Sequence, residues 1–322
     1  MKAKTITSSS KLPANMKERR SHRSRFLHNI IKYRWQYSMI LPGIIMIILF
    51  NYMPMVGLQI AFKSYTVGNT IWNAPWVGFK NFWFLTDSEF WRIVGNTLSI
   101  TVLRFITSLP APIILALLIS EVKREWFKRT VQTVSYLPHF VSWIVVAYII
   151  DAFLSPNGGI VNQIIQFFGK DPIFFMGEIE WFRPIVVISA IWKETGWNSI
   201  IYLAAIASIN PELYESAKIE GAGKLAQLRY ITLPCLIPTI MLLFTLSIPS
   251  ILSAGTDQIY PLMNNANLEV SMVLDTYILI NGLQQGYYSM ASAVGLLSST
   301  IGLILVLCSN KLAKIISGEG LW

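Results

Sequence analysis

The sequence predicts an all-α polytopic membrane protein with six transmembrane helices and with both termini in the cytoplasm. Two observations predict this class. First, 53% of the 322 residues are hydrophobic, only 13% are charged, and the mean hydropathy is +0.50, which is unlike the composition of a soluble domain. Second, Lys and Arg concentrate in every other loop between long apolar runs, as they do in cytoplasmic loops of membrane proteins.

Six apolar runs are long enough to cross a hydrocarbon core, which takes about 20 helical residues. They lie at residues 38–58, 94–119, 131–153, 184–208, 232–252 and 291–310. The transmembrane domain is therefore predicted to occupy residues 35–322. Residues 1–34 form a basic cytoplasmic arm, whose first part is rich in Ser, Lys and Arg and is predicted to be partly disordered.

The basic residues assign each loop to one side of the membrane. The arm, the loops 120–130 and 209–231, and the C-terminal tail together hold 19 Lys and Arg, whereas the intervening loops hold 5. Short loops rich in Lys and Arg stay on the cytoplasmic side, so both termini are predicted to be inside. A basic arm beside an apolar helix indicates attraction to anionic membrane lipid. The net charge of +9 alone would also suit nucleic acid, but the placement of the charge argues against such a partner.

The sequence carries no recognisable catalytic or metal-binding signature. Cys235 and Cys308 lie in apolar runs, where a lone Cys behaves as a small hydrophobe, and the three His residues have no ligand-spaced partner. The segment 221–224, Gly-Ala-Gly-Lys, lacks the Ser or Thr and the first glycine of a phosphate loop. The chain is therefore predicted not to be an enzyme and to bind no metal or cofactor itself.

The loop between the fourth and fifth spans predicts a short cytoplasmic helix. Asn210 can cap free amides, Pro211 suits the first helical position, and the following carboxylates favour the positive end of the helix dipole. The helix is predicted at about 211–223, broken by glycine from Gly221 onward, with the fifth span beginning at Leu233-Pro234. Such a segment would also suit a simple surface connector.

The spacing in this loop resembles the EAA signature of permease subunits in binding-protein-dependent ABC importers. The signature is Glu-Ala-Ala, three residues, Gly, nine residues and Ile-x-Leu-Pro; the matching residues, with Ser in place of the first Ala, are Glu215, Ser216, Ala217, Gly221, Ile231, Leu233 and Pro234. The similarity extends from about residue 35 to the end. It is closest to permeases of carbohydrate uptake, and segments 275–283 and 302–322 resemble the subfamily that handles oligosaccharides or polysaccharide fragments.

The resemblance implies a type I ABC importer permease fold in a bacterial cell membrane. It also implies the following partners: a second, homologous permease subunit, two cytoplasmic ATPase subunits that carry ATP and Mg²⁺, an extracellular or periplasmic solute-binding protein, and a carbohydrate substrate. In such transporters the EAA helix is the coupling helix seated in a cleft of the ATPase. Glu215 is then expected to contact the ATPase, while Ala217 and Gly221 permit close approach. The outer loops are expected to receive the loaded solute-binding protein.

Ionisable side chains within the apolar runs predict a substrate pathway. Such groups are costly at membrane depth and mark functional sites by default, and aromatic faces with nearby hydrogen-bonding groups suit sugar rings. The candidate residues are Arg104, Trp192, Lys193, Glu194, Trp197 and Asn198. Alternatively, Lys193 and Glu194 pair structurally with another span, and the Trp residues mark membrane interfaces.

Two other functions would share this topology. A secondary transporter driven by an ion gradient has similar spans and buried charges, and a non-transporting membrane anchor or sensor has similar spans. Neither needs a short cytoplasmic helix with the EAA spacing. The sequence therefore favours the permease subunit of an ATP-driven sugar importer.

Overall fold

A computed structural model describes residues 32–317 of the chain, with side chains through residue 315. Nearly all of the predicted basic arm, residues 1–34, lies outside the described residues, so its disorder stays a prediction. The described chain is helical except for loops and one isolated bridge between Lys63 and Trp76. The described residues divide into two compact units, with the boundary in the chain between Leu58 and Gln59.

The helices of the described chain follow one another in this order. They are α1 (Arg34–Phe62), α2 (Ser88–Ser120), α3 (Glu125–Phe140), α4 (Trp143–Leu154), α5 (Ile160–Phe167), α6 (Ile179–Ala207), α7 (Pro211–Ile219), α8 (Lys224–Leu252), α9 (Thr256–Leu262), α10 (Leu268–Ser271), α11 (Leu274–Tyr277) and α12 (Tyr288–Ser317). A 3₁₀ helix, Gly78–Thr86, precedes α2, and a π-helix, Ile278–Gln284, continues α11.

The first unit contains most of α1, which is apolar on all sides. Its side chains are exposed along nearly its whole length up to residue 58. A helix without a polar face is suited to lipid, where the backbone groups are satisfied within the helix itself. The first predicted span, 38–58, lies inside α1.

Four described helices are long and apolar enough to cross a membrane, namely α1, α2, α8 and α12, and a fifth span is reached if α3 and α4 count as one. The fourth predicted span, 184–208, corresponds to α6, which is 29 residues long. Lys193, Glu194 and Asn198 lie near its centre, and their polarity keeps α6 out of this set. The all-helical prediction is confirmed for the described residues, whereas the count of six spans stays a proposal.

The third predicted span, 131–153, is a bent pair of helices in the structure rather than one straight helix. α3 and α4 meet at an angle of 102°. α3 ends in a 3₁₀ turn that contains Pro138, and the side chain of Ser142 accepts a hydrogen bond from the Val145 amide to begin α4. Hydropathy does not register such a break because the residues on both sides of it are apolar.

The fifth predicted span, 232–252, begins earlier than expected. α8 starts at Lys224 and passes through a π-helical stretch, Leu228–Thr232, before it becomes α-helical at Leu233. Pro234 therefore stands near the start of an α-helical segment, where its missing N–H is tolerated, but not at the start of the whole helix.

The second unit is organised around α6. This helix packs against α2, α3 and α8. Its Phe182 and Val186 are buried in a cluster with Ile100 of α2 and Ile259 of α9. A second buried cluster joins the 3₁₀ helix, the start of α2, α11 and the start of α12. Because α2 and α6 are held by these contacts, the polar residues in their centres have defined neighbours.

Candidate functional site

The short helix α7 is closed at both ends by its own sequence. The Asn210 side chain accepts a hydrogen bond of 3.0 Å from the Glu212 amide, and Pro211 occupies the first turn. At the other end Gly221 has a φ of +85°, and the Ala222 amide donates to the Ala217 carbonyl at 2.8 Å. This is a glycine-terminated helix end, and it stops the helix at Ile219, four residues before the predicted limit.

The EAA residues present a mixed polar and apolar surface. Glu215 and Ser216 are exposed, and Ala217 is half-buried. Ile219 is 88% exposed and lies one turn after Glu215 on the same face. Gly221 has open space where a side chain would lie. Leu233 is half-buried and Pro234 is exposed, both within α8 rather than in the loop.

Side-chain contacts fasten α7 to the neighbouring long helices. The Tyr214 hydroxyl lies 2.9 Å from the Thr232 hydroxyl of α8. The Lys224 ammonium at the start of α8 lies 2.6 Å from the carboxylate of Glu121, which follows α2. Side-chain contacts therefore join α7 to α8, and the first turn of α8 to the end of α2.

A group of ring and charged side chains lies at the bend between α3 and α4. The buried Lys193 ammonium donates a hydrogen bond of 2.6 Å to the His139 carbonyl and lies 5.2 Å from the centre of the Trp143 ring. Glu194 lies 2.9 Å from His139 Nδ1, and the His139 ring stacks on Trp197 with 4.5 Å between centroids. Lys193 thus satisfies a carbonyl near the end of α3, where a cation is favourable.

A polar cavity of about 370 Å³ lies between α2, α6 and the end of α8. Half of its twelve lining residues carry a hydroxyl or an amide group, and the lining also holds one cation and one carboxylate. The lining residues are Thr101, Arg104, Phe105, Ser108, Ala190, Glu194, Asn198, Ser247, Ser250, Ile251, Ser253 and Gly255. A neighbouring cavity of about 240 Å³ shares Phe105, Ser108, Asn198 and Ser247 with it and continues along α2 and α6 with a mainly apolar lining.

The structure separates the predicted pathway residues into three groups. Arg104, Glu194 and Asn198 line the polar cavity together. Lys193 and Trp197 contact His139 at the bend between α3 and α4; for Lys193 this is the kind of structural contact with another span that the alternative interpretation expects. Trp192 lines a separate apolar cavity with residues of α4 such as Val146 and Ile149.

Sequence reasoning missed several residues of this region. Ser247, Ser250 and Ser253 recur every third residue, and the intervening segment Ile248–Leu252 is a 3₁₀ helix with three residues per turn. That spacing places the three serines along one face and was a usable signal. His139 gave no such signal, because its partner Glu194 is 55 residues away in the chain.

These features define a helical membrane protein with an internal polar cavity and a rigid capped helix between its long segments, which is the class of membrane transport subunits. The family model described as "Binding-protein-dependent transport system inner membrane component" matches residues 108–317. The chain therefore belongs to this family; it is a bacterial membrane transport component and not an enzyme. The resemblance to ABC importer permeases inferred from the EAA spacing is confirmed.

Relatives of known role cover nearly the whole chain. The polygalacturonan/rhamnogalacturonan transport system permease protein YteP of Bacillus subtilis (strain 168) is 43% identical and matches over 94% of this chain and 95% of its own length. Protein LplB of the same organism is 41% identical over 90% of this chain and 91% of its own.

A solved structure has the same fold. It is the crystal structure of a bacterial ABC transporter involved in the import of the acidic polysaccharide alginate, with a TM-score of 0.85 and 41% identity over 91% of this chain and 99% of that chain. A bacterial alginate ABC transporter in complex with an alginate pentasaccharide-bound periplasmic protein gives a TM-score of 0.86 at 41% identity, over 92% of this chain and 100% of that chain.

Proposed function

We propose that this chain is the membrane-spanning permease subunit of an ATP-driven, binding-protein-dependent importer of sugars, most specifically oligosaccharides. It forms half of the translocation pathway, and a second homologous permease subunit forms the other half. Two cytoplasmic ATPase subunits bind ATP and Mg²⁺, and a solute-binding protein delivers the substrate on the outer side. The names of the relatives, which concern polygalacturonan, rhamnogalacturonan and alginate, support the oligosaccharide class.

The observation that carries the proposal is the capped helix α7 together with its attachment to α8. A transporter that alternates between open states needs a rigid element to pass ATPase closure to the membrane helices. α7 has both ends fixed, presents Glu215 and Ile219 outward, and reaches α8 through Tyr214 and Thr232. ATPase docking on this face then displaces α8, which forms one wall of the polar cavity.

The topology proposed for this role has six spans and both termini inside the cell. It counts α3 with α4 as one bent span and includes α6, whose polar centre is explained by the cavity that it lines. A charged residue facing such a cavity within a bundle avoids contact with lipid. This arrangement places α7 on the cytoplasmic side, where the ATPase subunits are.

The test of the coupling role is a pair of Asp substitutions in one loop. The Gly221→Asp variant is expected to insert into the membrane and to assemble with its partners. Its rate of ATP-dependent uptake is expected to be at least about tenfold lower than that of the wild type. A non-glycine residue at a φ of +85° is strained by about 1–2 kcal/mol, and the added carboxylate lies at the docking face. Uptake is measured with radiolabelled oligosaccharide in proteoliposomes that contain the full complex and the solute-binding protein.

Gly223→Asp is the matched control. Gly223 has an ordinary φ of −70° and open space around it, so the same charge enters the same loop without backbone strain. Normal uptake in Gly221→Asp, or an equal loss in both variants, would contradict the assigned role of the helix end.

The energy source of uptake distinguishes the proposed ATP-driven importer from a secondary transporter. Uptake by the proposed importer stops when the ATPase subunits cannot hydrolyse ATP and continues when an ionophore removes ion gradients. A non-transporting anchor or sensor would give no uptake with either treatment and would not co-purify with ATPase subunits.

A further inference from the structure

Arg104 is a cation in the polar cavity, and Glu194 of the same lining acts on it electrostatically without forming a close ion pair with it. Arg104 lies in the middle of α2 and lines the cavity. Its Nη1 donates a hydrogen bond of 2.6 Å to the Ala254 carbonyl, and it forms no ion pair with any described residue. A guanidinium has five N–H donors in a planar fork, so most of its donors remain available to a ligand.

The position of the Arg104 guanidinium is fixed by the loop that follows α8. The Asp275 carboxylate accepts hydrogen bonds from the Ser253 hydroxyl at 2.8 Å and from the Gly255 amide at 3.1 Å. The Ala254 carbonyl that Arg104 contacts lies between these two residues. Asp275 therefore orders the loop and does not itself line the cavity, which holds the guanidinium in place before any ligand arrives.

The other charge on the wall of the cavity is already compensated. Glu194 lies 3.6 Å from the Lys193 ammonium and 2.9 Å from His139 Nδ1, and both partners belong to the bend between α3 and α4. Glu194 also acts electrostatically on Arg104, so this one carboxylate faces two cations, Lys193 and Arg104, and one positive charge is left in excess. An anionic group in the cavity would complete the charge balance.

The neutral lining supplies hydrogen-bonding groups of the kind that sugar hydroxyls need. Asn198 is exposed to the cavity and has no hydrogen bond to another described residue, and Ser250 and Ser253 add hydroxyls beside Arg104. The volume of about 370 Å³ lies within the roughly 300–1,000 Å³ range of small-molecule pockets. The chemistry is thus that of a sugar ring bearing a carboxylate.

We propose that this cavity binds an acidic sugar unit of the transported oligosaccharide, and that Arg104 determines specificity by pairing with the uronate carboxylate. The inference rests on the proposed function, because it names the chemical class of the substrate that the importer carries. Arg104 forms a charge-assisted, bidentate pair with the carboxylate. Asn198 donates to and accepts from the ring hydroxyls, while the Ser250 and Ser253 hydroxyls, which already donate within the protein, accept from them.

The experiment measures ligand binding to the purified complex without the solute-binding protein, so that the selectivity of that protein does not enter. Thermal stabilisation is recorded with an alginate pentasaccharide and an oligogalacturonate, each as the free acid and as the methyl ester. The free acids are expected to bind the wild type at least about tenfold more tightly than the esters. Arg104→Gln is expected to remove this difference, and Arg104→Lys to keep part of it.

Arg92→Gln is the matched control, because Arg92 lies on the same helix but pairs with Glu89 outside the cavity. It is expected to preserve the preference for the free acids. Equal binding of acid and ester by the wild type, no binding of any of the four probes, or an unchanged preference in Arg104→Gln would each overturn the proposal.

A second variant tests the proposal without removing Arg104. Ser250→Asp places a carboxylate on the cavity wall and is expected to weaken binding of the free acids more than binding of the esters, and Ser250→Asn, which removes the same hydroxyl without adding a charge, serves as its neutral control. If both Ser250 variants bind the acids as the wild type does, the proposal fails. ATP-dependent uptake of a neutral oligosaccharide in the same preparation would show that the importer role stands even then.

Discussion

At the scale of single residues, Lys193 and Arg104 show how similar cations take different roles. Both lie in the middle of predicted spans. Lys193 is buried and engaged by the His139 carbonyl, Glu194 and the Trp143 ring, whereas Arg104 has one backbone partner among the described residues and faces a cavity. The difference is set by which neighbour each helix packs against.

Replacing Lys193 is expected to destabilise the protein. Lys193→Met leaves the His139 carbonyl and the Glu194 carboxylate without their cation, at a cost of about 1–3 kcal/mol. We expect a lower midpoint of thermal unfolding in detergent. Lys123→Met is the control, since Lys123 is exposed in the loop after α2, and its midpoint is expected to stay at the wild-type value. Equal midpoints for both variants would mean that the Lys193 contacts do not support the bend.

At the scale of secondary-structure elements, α6 and α3 approach each other at a glycine. A Cβ at Gly196 would overlap the backbone carbonyl of Ser135, so only glycine allows this distance between the helices. The same contact places α3 where Lys193 reaches the His139 carbonyl. The bend between α3 and α4 is therefore supported by both close packing and hydrogen bonding.

Two Gly→Ala substitutions in helices are expected to have opposite effects. Gly196→Ala forces two packed backbones apart and is expected to cost about 1–3 kcal/mol. Gly95→Ala adds a methyl group where nothing lies within 4 Å and is expected to be neutral or to stabilise α2 by roughly 0.5–1 kcal/mol. Thermal unfolding of both purified variants measures this, and a stable Gly196→Ala protein would argue against close contact of α3 and α6.

The link between α7 and α8 predicts partial uncoupling when it is broken. Tyr214→Phe removes the hydroxyl that contacts Thr232, so less of the movement of α7 reaches α8. We expect the uptake rate to fall by about two- to tenfold, which corresponds to the free energy of one hydrogen bond. ATP hydrolysis by the complex is expected to continue. Tyr230→Phe is the control, because Tyr230 is 73% exposed and its hydroxyl has no partner among the described residues. A parallel loss of hydrolysis in Tyr214→Phe would indicate lost docking instead.

At the scale of the whole molecule, the uneven distribution of Lys and Arg fixes the proposed orientation. The two sets of loops differ by 19 residues against 5, a bias that retains the richer set in the cytoplasm. Helix α7 belongs to the richer set, as docking to a cytoplasmic ATPase requires. An orientation with α7 on the outer side would therefore also exclude its proposed coupling role.

Site-directed labelling measures the orientation directly. In a background with Cys235→Ser and Cys308→Ser, we expect Ser216→Cys in α7 to react with a membrane-impermeant maleimide only after the cells are opened. Asp171→Cys, in the exposed loop between α5 and α6, is expected to react in intact cells. Labelling of Ser216→Cys in intact cells would place α7 outside and exclude contact with a cytoplasmic motor.

Much of this protein was predictable from contiguous stretches of sequence. Mean hydropathy and the loop charges predicted a helical membrane protein, and Asn210, Pro211 and Gly221 predicted a short capped helix. The structure has this helix at Pro211–Ile219, and the EAA spacing identified the family. Each of these signals depends on the chemistry of neighbouring residues, which the backbone expresses locally through hydrogen-bond caps, allowed dihedral angles and burial in lipid.

The tertiary structure alone decided which polar residues share a cavity. Arg104 meets Ala254 across 150 residues of chain, and Glu194 meets His139 across 55. The structure also bends the third predicted span by 102° between α3 and α4 and places Trp192 in a separate cavity beside α4. Contacts between distant segments depend on how helices pack and where they break. Hydropathy along the chain records neither, because it averages over the faces of a helix and over the break itself.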